Sequence, residues 1–227
     1  MKIAEIFYSI QGEGILLGTP SVFIRVSGCN LRCVWCDTPY ASWAPEGEDW
    51  PLDRILAEVR RYPARHVVVT GGEPMIMPGM VELTRELARE RRHITIETAG
   101  TAYQPVSCDL MSISPKLANS TPRDRAGGRW AMQHERLRIQ PNVLRRLMRE
   151  YDYQLKFVVA SPEDVEEIRS LVSLLQADPA RVLLMPEGVE AELLRGRARW
   201  IVEICKQEGF RYTPRLQIEI WGGQRGV

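Results

Sequence analysis

Ser21-Val22-Phe23-Ile24-Arg25-Val26-Ser27-Gly28-Cys29-Asn30-Leu31-Arg32-Cys33-Val34-Trp35-Cys36 is a short apolar run, then a glycine, then three thiols within eight residues. The run is rich in Val and Ile and stops at a turn residue, so residues 21–27 read as a buried strand whose carboxyl end opens into the cysteine loop. The same unit recurs. Apolar runs at 67–70, 94–98, 110–114, 155–159 and 182–185 mostly stop at Gly, Pro or Ser, residues 3–10 look extended, and 216–221 alternate like a half-exposed strand. Between them Leu52, Ile55, Leu56 and Val59, and again Met80, Leu83, Thr84 and Leu87, follow helical spacing. Ser161-Pro162-Glu163-Asp164 is a helix start, with Val165, Ile168 and Val172 on its buried side. Strands alternating with helices imply an α/β fold with a mostly parallel sheet and right-handed crossovers, whose loops at the carboxyl ends of the strands form a functional rim. No internal repeat is present. Residues 118–135, with Asn119-Ser120-Thr121-Pro122 and Gly127-Gly128, read as a long polar loop or insertion.

At 227 residues the chain is expected to be a single domain, 1–227. Lys+Arg 30 against Asp+Glu 29 leaves a net charge of +1, so there is no basic field to hold nucleic acid through its phosphates. Hydrophobic residues at 44% and charged residues at 26% exclude whole-chain disorder. The longest stretches free of Asp, Glu, Lys and Arg are 11 residues, 14–24 and 98–108, against about 20 apolar residues for a membrane span. Met1-Lys2-Ile3-Ala4-Glu5 meets a carboxylate before any apolar export core. A cytoplasmic chain without a membrane helix is expected.

Five cysteines are present, and the clustering of Cys29, Cys33 and Cys36 favours metal or redox chemistry over disulfides in a reducing compartment. Three thiolates can hold three irons of a cubic cluster and leave the fourth iron open to a chelating molecule. Zinc competes, but a structural zinc site closes with four ligands, and His66, His93 and His134 are distant in sequence. Cys108 and Cys205 read as packed small hydrophobes. Val67-Val68-Val69-Thr70-Gly71-Gly72-Glu73-Pro74 is a strand ending in two glycines, where a ligand can approach the main chain, and Glu73 could cap the helix that follows. His134 reads as a surface or helix-start residue, and Arg145, Arg146 and Arg149, like Arg89, Arg91 and Arg92, as solvated helix faces.

The CxxxCxxC spacing resembles the motif of the radical S-adenosylmethionine (SAM) superfamily, and Gly71-Gly72-Glu73-Pro74 resembles its cofactor-contacting GGEP element. Glu5 to Gly14 with its QGEG, Asp37-Thr38 after the third cysteine, Ser114-Pro115-Lys116, Asn119 to Pro122, His134 to Pro141, Met185-Pro186-Glu187-Gly188 and Pro214 to Gly222 extend the resemblance along nearly the whole chain to the 7-carboxy-7-deazaguanine synthase family. The resemblance implies an incomplete, modified (β/α) barrel of the radical SAM type, and a homodimer. It implies conversion of 6-carboxy-5,6,7,8-tetrahydropterin to 7-carboxy-7-deazaguanine with release of ammonia, in queuosine and 7-deazapurine biosynthesis. The cofactors implied are a 4Fe-4S cluster, SAM and Mg²⁺, with a one-electron reductant such as flavodoxin or ferredoxin.

Site roles follow from the matched motifs. Cys29, Cys33 and Cys36 would hold the cluster, and Trp35, Cys36, Asp37, Gly72, Ser114, Pro115, Lys116, Met185, Pro186 and Glu187 would line the SAM site. Ile10, Gln11 and Gly12 would meet the pterin edge, Glu13 would accept from its amino groups, Arg25 would pair with its carboxylate, and Thr70 is a further substrate contact. Thr38 matches a Mg²⁺-ligating threonine. Some relatives carry a histidine in the C-terminal segment where this chain has Gln217, which puts the contacts of that segment in question.

Overall fold

The computed structural model describes residues 1–227. Strand β1 (Lys2–Ile10) pairs antiparallel with β2 (Pro20–Val26), and on its other side with the two-residue β3 (Glu48–Asp49). From β2 onward every neighbour is parallel: β4 (His66–Gly71), β5 (His93–Thr98), β6 (Leu110–Ile113), β7 (Tyr153–Val159), β8 (Val182–Pro186) and the short β9 (Arg211–Tyr212). The order β3-β1-β2-β4-β5-β6-β7-β8-β9 does not return on itself, so the sheet is open, the incomplete barrel expected. Each predicted strand from 3–10 to 182–185 falls within a residue or two of an observed one.

The strands read as nearly continuous apolar runs because most of their side chains are buried, on the concave face as well as under the helices. One face packs on α2 (Leu52–Arg60), α3 (Met80–Arg89), α5 (Pro141–Glu150), α6 (Asp164–Leu175) and α7 (Ala191–Glu208). Val22, Ile24, Val67, Val69, Ile94, Ile96, Met111, Leu155, Phe157, Val182 and Leu184 point that way and form the main core with Ile55, Leu83, Leu87, Leu144 and Ile168. With a period of two, the alternate residues turn to the concave face. Arg25, Thr70, Glu97, Ser112, Lys156 and Met185, near the carboxyl ends of six successive strands, line one cleft there. No helix is long and apolar enough to cross a membrane.

Three local expectations change. Residues 118–135 are not one loop: two 3-10 turns (Ala118–Ser120, Arg125–Gly128) lead into helix α4 (Ala131–Arg138). Helix α6 starts at Asp164 rather than Ser161, because the Asp164 carboxylate accepts from the main-chain N–H of Ala160 (2.7 Å) and Ser161 (3.0 Å) and holds those residues in a turn. Residues 216–221 form helix α8 (Leu216–Trp221), not a strand. The sheet edge beside β8 is already taken by β9, and Leu216 N–H instead donates to Gly12 O at 2.9 Å, which draws the segment across the end of β1.

Candidate active site

The cleft at the carboxyl ends of the strands encloses about 720 Å³. Its upper wall is the cysteine loop. The main chain folds back tightly there: Gly28 donates to Ala41 O (2.8 Å), while Glu73 N–H donates to Gly28 O (2.9 Å). A Cβ on Gly72 would collide with the carbonyls of Gly28 and Ala41, so this position must be glycine for β4 to end against the loop. Glu73, fully buried, lies under the loop; it accepts from Met75 N–H (3.0 Å), Thr98 Oγ1 (2.7 Å) and Ala99 N–H (2.8 Å), capping the 3-10 turn at Pro74–Ile76. Burial pushes its carboxyl up, against those three hydrogen bonds.

Cys29, Cys33 and Cys36 all line the cleft and none is in a disulfide. Cys29 Sγ accepts weakly from Leu31 N–H, and Cys36 Sγ lies 3.1 Å from Ser42 Oγ. Burial, with the Glu73 carboxylate, raises the Cys29 thiol to about 12; burial, eased by Lys116 and reinforced by the other two thiols, raises Cys33 to about 12. Metal-free, Cys29 and Cys33 keep their protons, and metal binding must displace them. No three His, Cys, Asp or Glu side chains close around a single ion position. Three unpaired thiols spread along one wall are a donor set for separate irons of a cubane.

Beside them Lys116 Nζ donates to Ser114 Oγ (2.7 Å) and lies 5.8 Å from the Trp35 ring, whose Nε1 donates to Asn119 Oδ1 at 3.2 Å. Gly72, Asp37, Thr38, Met185 and Glu187 complete this part of the lining. Pro115 and Pro186, grouped with these residues in sequence, do not line it; the strand ends present the flanking side chains instead.

Deeper in, a connected polar network replaces the single contacts foreseen. Gln11 Nε2 donates to Glu97 Oε1 (3.1 Å) and Thr70 Oγ1 to Glu97 Oε2 (2.8 Å). Glu13 is ion-paired with Lys156 and with Arg215 Nε (3.2 Å), and accepts from Gln217 Nε2 (2.8 Å). Arg215 also pairs with Asp37 and donates to Gly188 O at 2.6 Å. Burial alone would raise the Glu13 carboxyl, but Lys156 and Arg215 outweigh it and hold Glu13 well below the carboxylate range. Burial opposes the Lys156 charge, and Glu13 and Glu97 more than restore it, so its pKa is raised. Gln217 Oε1 is buried without a hydrogen-bond partner, where its side chain approaches the Gly12 main chain. Gly12 is the counterpart of this approach, since a Cβ there would run into the Gln217 side chain.

Ile10, Gln11, Gly12, Glu13, Arg25 and Thr70 all line the cleft. Arg25 is already held, its Nε donating to Glu5 Oε1 at 2.6 Å, which leaves its terminal nitrogens for a ligand anion. Burial would raise Glu5, but Arg25, Tyr40 and Arg225 keep it lowered. Glu97, Lys156 and Arg215 were given no site role from the sequence. The available signal was a charged residue inside an apolar strand run, as Glu97 is in 94–98 and Lys156 in 155–159. His134, expected at the surface, is buried on α4 and outside the cleft. Burial, opposed by Glu135 and aided by Arg138 and Lys116, lowers its pKa to about 4.

Residues 23–120 match the family model of the Radical SAM superfamily. A 7-carboxy-7-deazaguanine synthase of Halobacterium salinarum is 45% identical over 232 residues, spanning 97% of this chain and 90% of that protein. Another from Rhodopirellula baltica is 44% identical, spanning 100% and 89%. Among solved structures, QueE from Escherichia coli superposes with a TM-score of 0.70 at 28% identity, covering 95% of this chain and 93% of that one. Streptococcus suis SuiB shares the fold alone, with a TM-score of 0.56 at 14% identity over 86% of this chain and 48% of that one.

Proposed function

The chain belongs to the 7-carboxy-7-deazaguanine synthase family of radical SAM enzymes, and we propose that its cleft divides into a cofactor half under the cysteine loop and a pterin half around Glu13, with 6-carboxytetrahydropterin as substrate. The enzyme makes 7-carboxy-7-deazaguanine by radical chemistry that depends on a 4Fe-4S cluster and SAM. When bound, these groups supply the one-electron chemistry that generates a hydrogen-abstracting radical. What the chain contributes is binding and placement.

In the cofactor half Cys29, Cys33 and Cys36 hold the irons. Trp35, Lys116 with Ser114, the Gly72 main chain and the strand end at Met185 and Glu187 hold SAM. In the pterin half Glu13, ionised and acceptor-only, takes N–H donors of the heterocycle. This is the observation that carries the pterin reading: an ionised carboxylate, Glu13, held at the cleft wall as an acceptor for a ring edge rich in N–H groups. Gln11 and Thr70 present polar edges oriented by Glu97. The Arg25 terminal nitrogens receive the substrate carboxylate as a charge-assisted pair. Thr38 Oγ1, which lines the cleft beside Cys36, would serve as the protein oxygen for Mg²⁺. The free thiols suit a reducing cytoplasm, with a one-electron carrier such as flavodoxin or ferredoxin as reductant, and the family resemblance implies a homodimer.

The division is tested by two variants under anaerobic turnover. Gln11→Ala is expected to keep reductive SAM cleavage while losing roughly tenfold or more in deazaguanine formed per SAM cleaved. Cys33→Ala is expected to lose iron, cleavage and product together, with the melting temperature of the metal-free chain unchanged. Equal loss of both products in Gln11→Ala would contradict separate halves.

A further inference from the structure

His134 stands outside the cleft yet touches the loop that carries the three cysteines. Its Nδ1 accepts from the Arg32 main-chain N–H at 3.1 Å. A main-chain N–H can only donate, so Nδ1 bears no proton and the ring proton sits on Nε2. Nε2 faces Ser120 Oγ at 2.9 Å, and Ser120 Oγ spends its own proton on Leu117 O at 2.6 Å. Nε2–H therefore donates to Ser120, and one arrangement of protons satisfies the whole chain of contacts. Both side chains are buried, His134 at 1% exposure and Ser120 at 0%. Ser120 makes a second contact with the loop, its carbonyl accepting from Val34 N–H at 2.8 Å. The main-chain donors on either side of Cys33, Arg32 and Val34, thus both end on this one pair.

We propose that His134 and Ser120 are positioning residues that clamp the main chain around Cys33, keeping its thiol turned into the cleft before any metal arrives. The consequence for cluster assembly rests on Cys33 being an iron ligand; the clamp itself is a property of the metal-free chain. Neither residue lines the cleft, so neither touches substrate or cofactor. Without the clamp the loop would have to be ordered at the expense of cluster binding.

The test uses the full-length metal-free chain, with hydrogen exchange read at the Arg32 and Val34 amides, followed by iron bound per chain after anaerobic reconstitution. Asparagine places its carbonyl oxygen where Nδ1 stands, whereas glutamine places its polar group near Nε2. His134→Asn is expected to leave Arg32 exchange within about twofold of the parent chain, and His134→Gln to speed it by roughly fivefold or more, the factor for one lost hydrogen bond. Iron content is expected to follow the same order. Ser120→Ala removes a single oxygen and keeps the test open if His134→Gln does not fold. It is expected to speed Arg32 exchange, because the ring loses the partner that holds Nε2–H and is then free to turn away from the Arg32 N–H. Equal exchange in the Asn and Gln variants, both fast or both unchanged, would overturn the clamp. Exchange in the expected order with iron content unaltered would overturn its role in assembly. Failure of the parent chain itself to take up iron would instead strike the reading of the cysteines, with the exchange result still deciding the clamp.

Discussion

A buried lysine stays charged only beside carboxylates, and Lys156 has Glu13 in direct contact and Glu97 close by. Lys156→Met removes one cation and leaves Glu13 to Arg215 and Gln217. Because a partner survives, the expected cost is about 1–3 kcal/mol, below the ~3–5 kcal/mol of stripping a buried charge bare, read by denaturant unfolding of the metal-free chain. The pH dependence has a definite sign. The lowered Glu13 pKa gives stability that is complete above its unfolded value of 4.5 and is lost as pH falls through the folded value. The raised Lys156 pKa gives stability that is complete below 10.5 and is lost as pH rises through its folded value. Across pH 6 to 9, a window set well inside both limits, the difference between parent and Lys156→Met should be flat; a slope there would mean that Glu13 is not ionised in the fold.

At the scale of elements, the cofactor half depends on β4 ending hard against the cysteine loop. Gly72→Ala puts a methyl into the carbonyls of Gly28 and Ala41, backbone that cannot swing aside. Reconstituted Gly72→Ala is expected to bind SAM at least about tenfold more weakly, measured by equilibrium binding; unchanged affinity would remove the close approach from the account. That these residues would line one cleft was legible in the sequence, because they lie in contiguous motifs at strand ends: the thiols, Gly71-Gly72, Ser114 to Lys116 and Met185 to Glu187. Of the deeper lining, the sequence pointed only to Ile10, Gln11, Gly12, Glu13, Arg25 and Thr70. Glu97, Ser112 and Lys156 are separated along the chain and meet only when strand period and parallel register turn them to one face. Residues 216–221 misled for a related reason. Their alternation fits a strand, but the Leu216 N–H is drawn to Gly12 O, and as a helix the segment sends Gln217 to Glu13. His134 misled because its charged neighbours Glu135 and Arg136 hid a side chain turned inward to Arg32 and Ser120.

Across the whole molecule, stability and function lie on opposite faces of one open sheet. The helix-covered face holds the apolar core, where Leu87 is fully buried. Leu87→Ala is expected to cost about 2–5 kcal/mol in unfolding experiments while leaving SAM affinity unchanged. The many exposed Arg–Glu pairs, such as Arg146–Glu150, add little to this. The concave face holds polar groups that a closed and filled barrel would have to bury dry, and the open side admits cofactor and substrate to them. That one cleft serves both is the central claim, and an anaerobic reaction of reconstituted protein with dithionite, SAM, Mg²⁺ and 6-carboxytetrahydropterin tests it most directly. Mass spectrometry is expected to find 5′-deoxyadenosine and 7-carboxy-7-deazaguanine formed together. Protein that holds its cluster and cleaves SAM but yields no 7-carboxy-7-deazaguanine would contradict it.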